Sequence, residues 1–175
     1  MNVILNMSVS VNGIAARKND STDFLTHGEW PLLVELAQQT GAILWGRRTH
    51  EVVRAAYGEQ ALHAFDGLVR MVVSHNSQLA LEPGWHVATS PQQAVALFTD
   101  AGQLQALLAG GPTLNTSFVR ARLINEVVLF TDSVIVGRGL PLFAPEPFDL
   151  PLHLLEITQV RDEVVRSRYQ VRSET

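Results

Sequence analysis

No cysteine occurs among the 175 residues of the chain. Its absence excludes a disulfide, a thiolate metal site and a cysteine nucleophile. Lysine is nearly as scarce. Lys18 is the single lysine among 13 basic residues, and the rest are arginines, the side chain better suited to bidentate contacts with phosphate. An excess of positive charge is missing too. The formal net charge is -4, which argues against a nucleic-acid partner, whose backbone contacts need surplus Lys and Arg. Long hydrophobic runs are absent. The apolar start "MNVILNMSVSV" is broken by Asn6, Ser8 and Ser10 and has no basic leader. Neither a signal peptide nor a membrane span is expected, and the chain is assigned to the cytoplasm. The N-x-[ST] matches at Asn6, Asn19 and Asn115 are then chance. Repeats, linkers and low-complexity tracts are missing as well.

What is present is a chain 46% hydrophobic and 17% charged, enough to bury a core and shape a pocket within one domain spanning 1–175. Strands are expected at residues 3–11, 42–45, 68–74, 85–88, 124–131 and 134–136, and two more at 152–160 and 164–171 joined by a hairpin at Arg161-Asp162-Glu163. Helical spacing marks "EWPLLVELAQQT", where Pro31 is acceptable only in the first turn, then 49–57 and 113–122. Ser90 caps a further helix, "PQQAVALFT", with Pro91 at its first position. "QLQALLAGG" is ambiguous, helical by propensity yet short and closed by two glycines. Strands alternating with helices and a purely β finish argue an α/β fold, with a mainly parallel sheet and an antiparallel C-terminal edge.

Three segments carry possible chemistry. In "ILWGRRTHEVV" a buried strand stops at Gly46, Arg47 and Arg48 follow, and Thr49 opens a helix. Free N–H groups, the helix dipole and two full charges together make an anion seat. Taken alone, the segment is equally a solvated basic turn. In "LLAGGPTLN", Gly110 and Gly111 allow close backbone approach, and Pro112 and Thr113 begin a second helix; alone, it reads as a flexible connection. "MVVSHN" ends a strand in Ser74 and His75, a polar pair able to hydrogen-bond phosphate. Each lies where a strand has just finished, the place where ligands collect in open α/β sheets. The glycines do not form G-x-G-x-x-G, which disfavours an ordinary dinucleotide fold.

Other candidates are slighter. His27, His50, His63, His86 and His153 lack metal-ligand spacing, so no metal is expected. Trp30, Trp45 and Trp85 suit core or pocket wall. No nucleophile elbow or Ser-His-Asp grouping is visible.

"SVSVNGIAA" resembles the S-L-D-G-x-I-A signature of the riboflavin-biosynthesis reductase domain. "GRRTHEVV" resembles the G-R-x-T-[YW]-E motif of dihydrofolate reductases and their relatives. "AGGPTLNTSFVRARLINEVVLFTDSVIVGRGLPLF" resembles the family's G-G-x-x-L…L-[VI]-D-E-[LV]…G-x-G-x-P-L-F run. The matches keep the family's order from about residue 1 to 143. The resemblance implies a dihydrofolate-reductase-like fold, an eight-stranded sheet with four helices, and NADPH lying across the strand ends. It settles "QLQALLAGG" as a strand running into the glycine pair. By matching position, Gly46, Arg47, Arg48 and Thr49 would hold NADPH phosphates, with Ser74 and His75 near the 2′-phosphate. Gly110, Gly111, Pro112 and Thr113 would border the nicotinamide ribose and pyrophosphate, and Asn12, Gly13 and Glu126 the substrate. Two positions depart from the pattern: Asn12 and Asn125 stand where the family has Asp.

A proton must accompany hydride transfer to a C=N bond. Asp23, Glu29 and Glu35 are the carboxylates near the helix that would supply it; Asp23 is the one in the loop bordering the pocket. The leading expectation is an NADPH-dependent reductase of a small heterocycle, pterin-like or aminopyrimidine-like, similar to the riboflavin-biosynthesis reductase. Alternatives are a non-catalytic dinucleotide-binding module and a true dihydrofolate reductase. Two apolar closing strands at a sheet edge, and the resemblance, point to a homodimer; a monomer guarded by Arg166, Arg168 and Arg172 is the alternative.

Overall fold

The computed structural model describes residues 1–25 and 29–172. Its centre is an eight-stranded sheet. The strands are β1 (Asn2–Ser10), β3 (Ala42–Gly46), β4 (Val69–Val73), β5 (Trp85–Ala88), β6 (Gln105–Leu108), β7 (Glu126–Asp132), β9 (Leu152–Arg161) and β10 (Val164–Val171), in the order β5-β4-β3-β6-β1-β7-β10-β9. The first six in that order run parallel, and β10 and β9 close the sheet antiparallel. This is the α/β architecture read from the sequence. A separate pair, β2 (Ile14–Ala16) and β8 (Leu140–Pro141), was not foreseen.

The helices are α1 (Glu29–Thr40), α2 (Arg47–Tyr57), α3 (Pro91–Asp100) and α4 (Pro112–Arg120), plus a 3-10 segment, Glu59–Phe65. One core, on Leu5, Leu44, Leu108 and Phe118, lies on the α3 and α4 side, and a second, on Ile43, Trp45, Phe65 and Leu107, lies on the α1 and α2 side. Ala106, Leu107 and Leu108 are fully buried between β1 and β3. Burial on both faces is why "QALL" is a strand despite its helical propensity.

Local expectations are corrected in three places. α2 starts at Arg47 with Gly46 as its N-cap, so Thr49 sits inside the first turn. α4 starts at Pro112 and stops at Arg120, short of residue 122, and Arg122 takes a positive φ of 55. Residues 134–136 form no strand. The side-chain amide of Asn12 takes both backbone groups of Val136, N–H to Oδ1 at 3.1 Å and Nδ2–H to the carbonyl at 2.8 Å. A side chain replaces the ladder there. Ser90 does cap α3, its Oγ accepting from the Gln93 N–H at 3.1 Å.

Candidate functional site

The carboxyl ends of β1, β3, β4, β6 and β7 open onto a cleft of about 1820 Å³. Two of its edges are strand-to-helix turns that touch. The Gly46 N–H, where β3 meets α2, donates to the carbonyl of Gly110, where β6 approaches α4, at 2.8 Å. A Cβ built on Gly111 would stand 3.2 Å from Thr49 Oγ1. Gly110 has a φ of 83, and a Cβ there would lie 2.8 Å from Met7 Sδ, so only glycine fits. Gly46 has an ordinary φ of -78. It is needed for no unusual conformation.

Neither α2 nor α4 has a side-chain cap. Two helix N-termini with free N–H groups therefore lie side by side at the cleft, each with partial positive charge. Gly46, Arg47, Arg48, Thr49, Gly111, Pro112 and Thr113 all line it. Gly110 does not; it serves the cleft through the bond that joins the turns. Neither arginine is idle. Arg47 pairs with Glu51 at 2.8 Å, and Arg48 reaches Asp20 through two nitrogens at 2.8 and 3.1 Å. The bond to Asp20 raises the Arg48 pKa further. At the far side, Ser74 and His75 line the cleft beside Thr89 and Ser90. Ser74 is buried, with Oγ accepting from the Asn76 N–H at 3.1 Å, and His75 is exposed.

Three expected site residues, Asn12, Gly13 and Glu126, take other places. Asn12 binds Val136 and Ser10, outside the cleft lining, and Gly13 turns beside it with nothing within 4 Å of a built Cβ. Glu126 begins β7, so it lies at the opposite end of the sheet, held by Arg168 at 2.8 and 3.0 Å beside a separate hollow of about 220 Å³. Asp23 does line the cleft, but the Arg17 guanidinium and the Ser21 hydroxyl hold its carboxyl below the usual range. A general acid needs the reverse. Glu35 is exposed and accepts from Gln39, three-tenths of an ångström beyond an ordinary length at 3.3 Å. His27 and the Glu29 side chain lie outside the described residues.

At the other end of the cleft only Trp30 and Trp45 were expected from the sequence, as core or pocket wall. Asn6 and Ser8 of β1, Trp30 and Leu33 of α1, Trp45 of β3 and Phe130 of β7 line it. A signal existed: polar residues interrupting a strand that the fold places at the sheet's centre. His50 was likewise set aside as isolated. It is 3% exposed, accepts from Trp45 Nε1 at 3.1 Å and bonds Glu82 at 2.8 Å. Among the described residues no cluster of three or more His, Cys, Asp or Glu could hold a metal, and no helix is long and apolar enough to cross a membrane.

The family model described as the RibD C-terminal domain matches residues 1–166. Similar solved structures include a putative riboflavin biosynthesis protein from Shewanella sp. PV-4, 20% identical over 99% of this chain and 100% of that one, with a TM-score of 0.78. A pyrimidine reductase-like protein from Corynebacterium diphtheriae is 17% identical over 99% and 92%, with a TM-score of 0.76. A diaminohydroxyphosphoribosylaminopyrimidine deaminase/5-amino-6-(5-phosphoribosylamino)uracil reductase from Thermotoga maritima is 16% identical, with a TM-score of 0.71; the match covers 98% of this chain but 56% of that one. No curated protein matches the sequence.

Proposed function

The chain belongs to the RibD C-terminal domain family, and from that premise we propose that it is a riboflavin-biosynthesis-type reductase that uses NADPH on a small heterocycle. The observation that carries this reading is the pair of uncapped helix N-termini, joined by the Gly46–Gly110 bond and flanked by Arg47 and Arg48. Free N–H groups and guanidinium donors fit the phosphates of a dinucleotide. The cleft, at about 1820 Å³, exceeds the 300–1,000 Å³ of ordinary ligand pockets and has room for cofactor and substrate together.

Bound there, the nicotinamide supplies the hydride. The α2 and α4 turns hold the phosphates, Ser74 and His75 face the 2′-phosphate, and the apolar walls of Trp30, Leu33 and Phe130 keep water from the substrate ring. Asp23, held low by Arg17 and Ser21, is ionised at neutral pH and is withdrawn as the acid. Each acid among the described lining residues is paired with an arginine, Asp20 with Arg48, Asp23 with Arg17 and Glu51 with Arg47, which favours one second reading, a dinucleotide-binding module without turnover. Absorbance of NADPH in the presence of pterins and aminopyrimidines separates the two, since only the reductase consumes it. Calorimetry with NADPH and NADH tests the seat itself, and equal affinity for both refutes it. The protein acts as a homodimer in a reducing cytoplasm, which its lack of cysteine suits.

A further inference from the structure

Two walls at the cofactor's end of the cleft come from different parts of the chain. One is the start of α2, with Arg47, Arg48 and Thr49. The other is the segment that leaves β4 at Ser74 and re-enters the sheet at Trp85; Ser74, His75, Asn76 and Leu79 line the cleft from it. Its turns are held from within. The Asn76 N–H donates to Ser74 Oγ at 3.1 Å, and the Gln78 N–H to Asn76 Oδ1 at 3.0 Å. These bonds fix the shape of the segment and not its distance from α2. That distance is set behind the cleft. His50 follows Thr49 on α2 but lies outside the lining, 3% exposed. Trp45 Nε1, which can only donate, gives its proton to His50 Nδ1 at 3.1 Å, so Nε2–H donates to Glu82 at 2.8 Å. Arg54, one turn further along α2, meets the other Glu82 oxygen at 2.6 Å. Trp85, where the segment ends, stacks on Trp45 with ring centroids 4.8 Å apart.

A carboxylate that accepts from two side chains of one helix is a short, directional tie, here between that helix and a connecting segment. Resting on the reductase reading above, we propose that Glu82 and His50 are positioning residues for the cofactor. Their bond sets the spacing between the α2 turn, which takes the pyrophosphate, and Ser74 and His75, which take the 2′-phosphate. Neither residue lines the cleft, so both act through the walls they join. NADPH must meet the two walls at once, and a shift of about 1 Å in either loses a contact. NADH has no 2′-phosphate and needs the α2 and α4 turns alone. The tie therefore governs the preference between the two nucleotides more than the affinity for either half.

Calorimetry with NADPH and NADH on the full chain tests this. The Glu82 side chain is 19% exposed, so in Glu82→Ala water can replace the carboxylate on His50 and Arg54. That variant should weaken NADPH about tenfold and change NADH by less than about twofold, the loss of one charge-assisted contact. Glu82→Gln keeps a carbonyl oxygen for His50 Nε2–H. It should hold the parent's preference for NADPH within about twofold even though it melts lower. A residue that only supported the fold would weaken both nucleotides in step with the stability lost. Should Glu82→Ala fail to fold, His50→Asn replaces it, with the same loss expected: its amide oxygen still accepts from Trp45, but its shorter side chain leaves Glu82 without that donor. An unchanged preference in the folded variant overturns the proposal. So does an equal loss of NADH, or a preference lost in Glu82→Gln. The parent tests the reductase reading separately. A parent that binds NADPH and NADH alike refutes the 2′-phosphate seat and this role with it, whereas a parent that prefers NADPH and a variant that keeps the preference refute the positioning role alone.

Discussion

Arg48 meets Asp20 through two nitrogens with its own side chain 64% exposed. A phosphate arriving at α2 therefore competes with a carboxylate. Asp20→Asn should tighten NADPH binding by up to about fivefold, since exposed pairs contribute roughly 0.2–1 kcal/mol. Arg48→Ala should weaken it about tenfold or more, because a charge-assisted contact is worth roughly 1.5–3 kcal/mol. Calorimetry reads both, and an Asp20→Asn protein with weaker binding contradicts the competition. Asn12 makes its own argument at this scale. Its Nδ2 donates to the Val136 carbonyl at 2.8 Å, which a carboxylate cannot do. The aspartate of the family pattern would face that carbonyl with a negative charge. Asn12→Asp should thus cost about 1–3 kcal/mol in thermal unfolding at neutral pH; an unchanged melting temperature counts against the clamp.

Among the elements, α2 is anchored by a chain of polar contacts. Trp45 Nε1 can only donate, so His50 Nδ1 accepts and His50 Nε2–H donates to Glu82, whose other oxygen meets Arg54 Nε at 2.6 Å. Burial pushes the Glu82 carboxyl up, but its backbone N–H, His50 and Arg54 outweigh it and hold the group below its ordinary 4.5. A carboxylate with a depressed folded pKa gives stability that is present above the unfolded value and lost as pH falls through the folded one. Glu82→Gln should therefore melt lower than the parent near neutral pH, by roughly 1–3 kcal/mol, and the gap should narrow as pH falls below 4.5. Scans at both ends of that range check it; a constant gap argues for packing instead of charge. This contact set also marks the limit of what the sequence discloses. Period and punctuation revealed the long strands, the Ser90 cap and the closing hairpin, because those signals are local. Three results were invisible because their partners lie far along the chain: the Asn12 amide taking the backbone of residue 136, Asp20 meeting Arg48, and Glu126 facing away from the cleft. Asn6 fell between. Its polarity in a central strand was visible, but the lack of a partner for its buried Oδ1 is a property of the fold.

For the whole molecule, the exposed feature is the β9 edge. Leu154, Ile157 and Val165 are 47%, 62% and 39% exposed on the closing hairpin, while Arg166 and Arg168 turn to Glu156. Unpaired edges with apolar side chains invite a second strand. Light scattering at micromolar concentration should give twice 19.2 kDa for the parent and 19.2 kDa for Ile157→Asp; a parent already at the lower mass ends the dimer reading. The strand order has a further consequence, for the way the chain is made. β1 is the first strand synthesised, yet it sits between β6 and β7, with Asn2 beside Gln105 and Ser10 beside Asp132. Its neighbours on both sides are made only after β3, β4 and β5. Contacts so distant in sequence carry a large loop-closure entropy and slow the search. Through that interval the apolar side chains of Val3, Ile4, Leu5, Met7 and Val9 have no finished sheet to enter, the kind of exposed surface that favours aggregation during folding.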